Sequence, residues 1–367
     1  MGSSKLGSSL LVPSVQELAK SNNARAAVPP RYIREREELV TRSASDDIKN
    51  GGSVINAAVG DDEVPVIDME KLLSPDSMAS ELSKLHFAST HWGFFQLINH
   101  GVSSALLEKV KAEVEQFFNL TMEEKQKFWQ REGEVEGFGQ AFVVSDEQKL
   151  DWADLFFLVT QPPSERKPHL FPNLPLPLRD TLEAYSMGLK KTAMEILVHM
   201  ARALDMEENE MRELFDDGHQ SMRMNYYPPC PQPNQVIGLT PHSDATGLTI
   251  LLQLNQVEGL QIRKNGNWVS VKPLPDAFVI NIGDIVEIVT NGAYRSIEHR
   301  ATVNSEKERL SIATFYGPSY EKEIGPAKSL VTDENPPRFK KILVEDFFKG
   351  VFARELNGKS YIHSLRI

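Results

Sequence analysis

The chain has 367 residues, 41% of them hydrophobic and 25% charged, so it can bury a core and is not a disordered polymer. A formal net charge of −11 argues against general nucleic-acid binding, because an acidic surface repels phosphate backbones. The one cysteine, Cys230, excludes an intramolecular disulfide and fits a reducing compartment, and no apolar run is long enough to span a bilayer. A cytoplasmic location is therefore expected, with the nucleus open as well. No membrane partner and a monomeric state are expected too.

In chain order, residues 1–60 read as a peripheral segment rich in Ser, Asn, Gly and charge, punctuated by Pro29-Pro30 and Gly51-Gly52, with one short helix around Val15–Ser21. Residues 61–175 read as an α/β region. A short strand at Val64–Asp68 is followed by a helical pattern over 78–91, then a buried strand from Trp92 to Ile98. Ser103 or Ser104 caps a helix running to Phe118, and Thr121 with Glu124 forms a capping box for another. A long amphipathic helix over 179–205 lies in a connector spanning 176–215. From 216 to 320 short β-rich runs alternate with turns, at 247–254, 259–263, 268–271, 277–282, 294–303 and 309–316. Asn265-Gly266-Asn267 marks a hairpin turn between two of them. Such spacing predicts a double-sheet or barrel-like β core, and a helical extension closes the chain over 321–367.

Candidate chemistry lies within that core. His242-Ser243-Asp244 puts an imidazole and a carboxylate two positions apart, on one face if the run is a strand. Alone the pattern is common. His299, in the run 294–303, supplies a second imidazole. Two histidines and one carboxylate on one face of an octahedron suit iron(II) and leave three positions open. A structural zinc site would favour cysteine, and the chain has one. Arg309-Leu310-Ser311 opens the next strand and puts a guanidinium fork and a hydroxyl on one face, which suits a carboxylate. Asn225 and Tyr227 share a face of a strand leaving into Pro228-Pro229-Cys230-Pro231. No catalytic group beyond the metal ligands stands out. His86, His91 and His100 cluster in sequence, but a packed helix–strand unit explains them more simply.

Together these stretches resemble the plant iron(II)/2-oxoglutarate-dependent dioxygenases of specialised metabolism. The resemblance rests on NYYPPCP at 225–231, His242 with Asp244, His299 at 57 positions beyond His242, and Arg309 with Ser311. VPVID at 64–68 and WGFFQLINHG at 92–101 agree with the family's N-terminal region. Within the family, PSVQELAK at 13–20, EGFGQ at 136–140, LDWAD at 150–154, MRMNYY at 222–227 and GLTILLQL at 247–254 are similar to the codeine O-demethylase, norcoclaurine synthase-like and senescence-related group.

The resemblance implies a mainly β fold with flanking helices, a distorted double-stranded β-helix (jelly roll) joined to the α/β N-terminal region. It implies that His242, Asp244 and His299 hold iron(II). Arg309 and Ser311 would bind the distal carboxylate of 2-oxoglutarate, with Asn225 and Tyr227 helping to position it. Oxygen is the other co-substrate, and ascorbate supports activity. The expected reaction hydroxylates or O-demethylates a small hydrophobic plant metabolite, an alkaloid, flavonoid or other phenolic, with succinate and carbon dioxide as co-products. The alternative is a binding or sensing protein on the same scaffold that does not turn over. Phe315 shares a strand face with Arg309 and Ser311, and Phe138 lies in a loop resembling the family's substrate-lining segment. Both are candidate substrate contacts, with core packing as the other reading of each.

Overall fold

The computed structural model describes residues 9–21, 27–35, 63–140 and 142–367. Of the expected peripheral segment, residues 1–8, 22–26 and 36–60, Gly51-Gly52 among them, lie outside those residues. Twelve strands build the two sheets that carry the site. They are β1 (Val66–Asp68), β2 (Phe94–Ile98), β3 (Gly137–Gly139), β4 (Asp154–Gln161), β5 (His219–Tyr227), β6 (Leu239–His242), β7 (Leu248–Gln253), β8 (Leu260–Lys264), β9 (Asn267–Ser270), β10 (Phe278–Ile282), β11 (His299–Ala301) and β12 (Arg309–Gly317). The larger sheet has the order β1-β2-β10-β7-β12-β5-β4-β3, and the smaller β6-β11-β8-β9. Only β1 and β2 pair in parallel. Strands from both halves of the sequence therefore share one sheet.

Period-two alternation gives the larger sheet two unlike faces. Met222, Met224 and Tyr226 of β5, Leu310, Ile312 and Tyr316 of β12, and Phe278, Ile280 and Ile282 of β10 point to one side. There they join the helix Leu176–Ala203, whose Leu182, Tyr185, Leu189 and Ile196 recur at helical spacing in the same core. The intervening residues face the smaller sheet and line the site. Local signals behave as the sequence predicts at several ends: Ser103 caps the helix Ser104–Phe118, and Thr121 and Glu124 form a reciprocal capping box.

Several elements differ from expectation. The strand expected over 294–303 is reduced to His299–Ala301. Upstream, the Tyr294 and Ser296 amides donate to Thr290 Oγ1 and Glu287 Oε2, at 3.2 and 2.8 Å, so side chains take donors that a ladder would need. The residues 284–289 form a short helix, wholly buried, which its apolar run disguises. β4 is a further strand that the reading did not single out. The N-terminal segment also packs more closely than its composition suggests. Val12, Val15, Val28 and Tyr32 form a cluster with Trp152 and Cys230, and buried Asp154 accepts bonds from Ser14 Oγ, Val15 N and Gln16 N at 2.6, 2.7 and 3.0 Å.

Candidate active site

His242 ends β6, and His299 begins β11 directly opposite it in the antiparallel pair. Their rings lie 4.3 Å apart. Asp244 stands beyond the end of β6, so it reaches the histidines through the turn and not through strand alternation as expected. Its Oδ1 is 3.5 Å from His242 Nε2 and 3.7 Å from His299 Nε2. All three residues are buried, and one donor atom of each falls within 4.8 Å of the other two.

The outer contacts leave the inner atoms free. His242 Nδ1 lies 2.8 Å from Thr240 O and His299 Nδ1 lies 3.1 Å from Ile297 O. With the proton on Nδ1 donated to a carbonyl, each Nε2 keeps a lone pair. Asp244 Oδ2 accepts from Thr249 Oγ1 at 2.6 Å and Asn281 Nδ2 at 2.8 Å, which leaves Oδ1 toward the histidines. His242 Nε2 is buried and has no hydrogen-bond partner. An orphaned lone pair in such a place is costly unless something binds it. Two nitrogens and one carboxylate oxygen, aimed at one point, fit iron(II) and leave coordination positions open. Burial pushes the His299 imidazole down to about 4, aided by His242 and opposed by Asp244, so it stays neutral at pH 7. For Asp244, burial alone would raise the carboxyl. The neighbouring His299 and His242 and the Thr249 hydroxyl outweigh it and hold the group well below the usual carboxylate range.

A second, smaller cavity adjoins the triad, lined among others by Asn225, Tyr227, Arg309 and Ser311, with Asp244 and His299 at its border. Register explains the grouping. Arg309 pairs with Tyr227 and Ser311 with Asn225 across β12 and β5, so all four point to one face. Asn225 Nδ2 donates to Ser311 Oγ at 3.3 Å, and the Arg309 guanidinium lies 5.2 Å from the Tyr227 ring centre. Arg309 is 3% exposed; its Nη2 donates to Gln253 Oε1 at 3.1 Å while its Nε has no partner. A buried guanidinium without a carboxylate suits an anionic ligand.

Continuing along the same face, Arg223 pairs with Ala313, Ser221 with Phe315 and His219 with Gly317. These residues border a larger, mainly apolar cavity, which also reaches His242 and Asp244. Phe157 and Val159 of β4 and Phe348 and Phe352 of the helix Val344–Phe352 complete its walls. Phe315 thus lines this cavity. Phe138 is not: it is fully buried on β3, packed near Phe117, Phe118 and the Lys125 ammonium, because alternation at that edge turns it into the helical core. From its segment, Val135 and Glu136 reach the cavity instead.

Sequence reasoning passed over Arg223. It lies two positions before Asn225, in phase with Tyr227, and that alternation was a usable signal. Its guanidinium stands 5.6 Å from the Phe315 ring centre, and it borders both cavities. It also passed over Thr249, Asn281 and the C-terminal aromatics, which no local motif ties to the triad.

Comparison with known proteins agrees with this geometry. Residues 218–318 match the 2OG-Fe(II) oxygenase superfamily, and residues 64–175 match the non-haem dioxygenase in morphine synthesis N-terminal family. Protein SRG1 of Arabidopsis thaliana is 58% identical, covering 98% of this chain and 98% of its own. Oxoglutarate-dependent flavonoid 7-O-demethylase 1 of Ocimum basilicum is 55% identical, covering 100% and 94%. Codeine O-demethylase of Papaver somniferum is 53% identical, covering 99% and 98%. The crystal structure of JOX2 in complex with 2OG, Fe and JA superposes with a TM-score of 0.84 at 34% identity, covering 97% of this chain and 98% of that one.

Proposed function

The chain belongs to the 2OG-Fe(II) oxygenase superfamily, and from that premise we propose that it O-demethylates or hydroxylates a small hydrophobic plant metabolite, an alkaloid, flavonoid or other phenolic. The enzyme is a dioxygenase that uses iron(II) and 2-oxoglutarate. The observation that carries the substrate reading is the meeting of two cavities at one buried His-Asp-His cluster, one bordered by Arg309 and Ser311, the other by several aromatic side chains.

His242, Asp244 and His299 would hold iron(II), each presenting the single atom that its outer hydrogen bond leaves available. Bound there, iron with 2-oxoglutarate and oxygen supplies oxidation of a C–H bond, coupled to release of succinate and carbon dioxide. Arg309 and Ser311 would fix the distal carboxylate, with Asn225 and Tyr227 beside it. Phe157, Phe315 and Phe348 would orient a flat ring system and exclude water. Hydroxylation of an O-methyl carbon yields a hemiacetal, which releases formaldehyde and frees a hydroxyl. The same reading has a cytoplasmic monomer without a nucleic-acid partner, supported by the acidic balance.

The test is incubation with iron(II), 2-oxoglutarate, ascorbate and air against methoxylated flavonoids and alkaloids, following succinate and formaldehyde. Formaldehyde in step with succinate supports demethylation, and a product gaining one oxygen supports hydroxylation. If no compound raises succinate above a His242→Ala background, the non-turnover alternative replaces this reading.

A further inference from the structure

The aromatic cavity is electrically lopsided. Near the triad its charged lining residue is Arg223. Along β5, from Arg223 to His219, four residues and roughly 14 Å separate that end from the other. Glu136 and Glu165 also line the cavity, both close enough to act on the Tyr320 hydroxyl, and Tyr320 lies against His219 at the far end. Glu136 is buried; its Oε2 accepts from Val159 N at 2.9 Å and its Oε1 lies 3.5 Å from Lys167 Nζ. Lys167 is shared with Glu134 at 3.1 Å, and Arg166 is committed to Glu183 at 2.6 Å. The Glu165 carboxylate has no hydrogen bond or ion pair among the described residues, although it borders the cavity. Burial raises the Glu165 carboxyl above its ordinary value, and Glu321 and Glu136 add to it. Two carboxylates thus border the cavity, one paired with Lys167 and the other, Glu165, half-buried and without an ion-pair partner among the described residues.

Aromatic rings enclose the same end. Tyr320 and Phe348 stand at 82° with ring centres 5.8 Å apart, and the His219 ring lies 4.1 Å from Tyr320. His219 is 7% exposed, lines the cavity, and its Nδ1 has no partner. Burial pushes this imidazole down to about 4, so it stands neutral at pH 7 and adds no positive charge of its own. Packed aromatic rings with carboxylates on the same cavity wall are surroundings that stabilise an alkylammonium, through the ring quadrupole and through the opposite charge.

We propose that this far end is a cation subsite, bounded by Glu136, Glu165, His219, Tyr320 and Phe348, that takes the protonated amine of the substrate. The proposal rests on the small-molecule oxygenase reading and sharpens it: the preferred substrate is an aromatic amine, held with its nitrogen remote from the triad and its oxidisable carbon beside His242 and Asp244. Arg223 at the near end opposes the reversed orientation by like-charge repulsion.

The test compares an O-methylated benzylisoquinoline tertiary amine with its neutral lactam, which keeps the rings and loses the charge. Binding to the iron(II)- and 2-oxoglutarate-loaded protein is measured by calorimetry without oxygen, and succinate release is measured separately in air. The amine is expected to bind about tenfold more tightly than the lactam. Glu165→Gln, which keeps shape and removes charge, is expected to bring that ratio near one. Equal affinities in the wild-type protein, a ratio unchanged by Glu165→Gln, or binding of neither probe would each overturn the subsite. Succinate release driven by a neutral methoxyflavone with no charge preference would overturn it while leaving the oxygenase reading intact. Absence of substrate-driven succinate from every compound would instead remove the oxygenase reading.

Discussion

Thr249→Val isolates what holds the Asp244 carboxylate. Thr249 is 2% exposed, and its hydroxyl donates to Asp244 Oδ2 at 2.6 Å. Valine keeps the volume and removes the donor. Asn281 Nδ2, at 2.8 Å, then remains alone on that oxygen, and the carboxylate gains freedom to rotate away from the point where His242 and His299 converge. A buried hydrogen bond to a charged group is worth about 1.5–3 kcal/mol, and loss of an outer partner of a metal ligand costs about 10–100-fold in metal affinity. We therefore expect iron(II) or cobalt(II) affinity, measured anaerobically by calorimetry on the metal-free protein, to fall about tenfold or more. Replacement of Asn281 by Ala should act in the same direction. The double variant should lose less than the product of the two, because both act through one oxygen. Affinity within twofold of wild type in a variant with an unchanged melting temperature would show that these donors do not orient Asp244.

Three further outcomes follow from the geometry. Arg309→Lys keeps the charge but loses the planar fork, and is expected to raise the 2-oxoglutarate requirement about tenfold with little change in metal affinity; an unchanged requirement removes Arg309 from the carboxylate site. Phe138→Ala should destabilise the fold by about 3–5 kcal/mol in denaturant titration while leaving the KM for the aromatic substrate unaltered, since the ring lies in the core; a raised KM at unchanged stability would return it to the cavity. His219, held down to about 4 by burial, binds its proton more weakly folded than unfolded, so stability is complete above about pH 6.5 and is lost as pH falls toward 4. Between pH 7 and 5 the wild-type protein should lose about 2 kcal/mol more than His219→Phe; equal losses would refute the assignment.

Much of the site was legible because the larger sheet obeys a period of two. Asn225 with Tyr227, and Arg309 with Ser311 and Phe315, could be placed on shared faces from spacing alone, and cross-strand register then joins the two faces into one. The same rule places Arg223 on the face of Asn225 and Tyr227. Phe138 shows where the rule needs a sheet to act on. Read as a loop residue it had no face; as the middle of an edge strand between Gly137 and Gly139 it has one, and that face is the helical core. Asp244 was grouped with His242 for a reason the structure does not use. β6 stops at His242, and a turn, held by the Thr249 and Asn281 contacts, completes the approach.

Contacts between distant segments could not be read from local pattern at all, and one of them bears on how the cavity is closed. The C-terminal run after the helix Val344–Phe352 returns to β6, where Gly358 N donates to Pro241 O at 3.0 Å and Ser243 N donates to Gly358 O at 3.2 Å. Lys359 then anchors to buried Glu287 at 2.6 Å. Residues on both sides of His242 are thus tied to the segment that follows Phe348 and Phe352, whose rings wall the cavity. The segment that follows these rings and the backbone on both sides of His242 share one set of hydrogen bonds. Substitutions in this C-terminal segment should consequently change aromatic-substrate binding before they change 2-oxoglutarate binding, because Arg309 and Ser311 belong to the larger sheet and take no part in that tie.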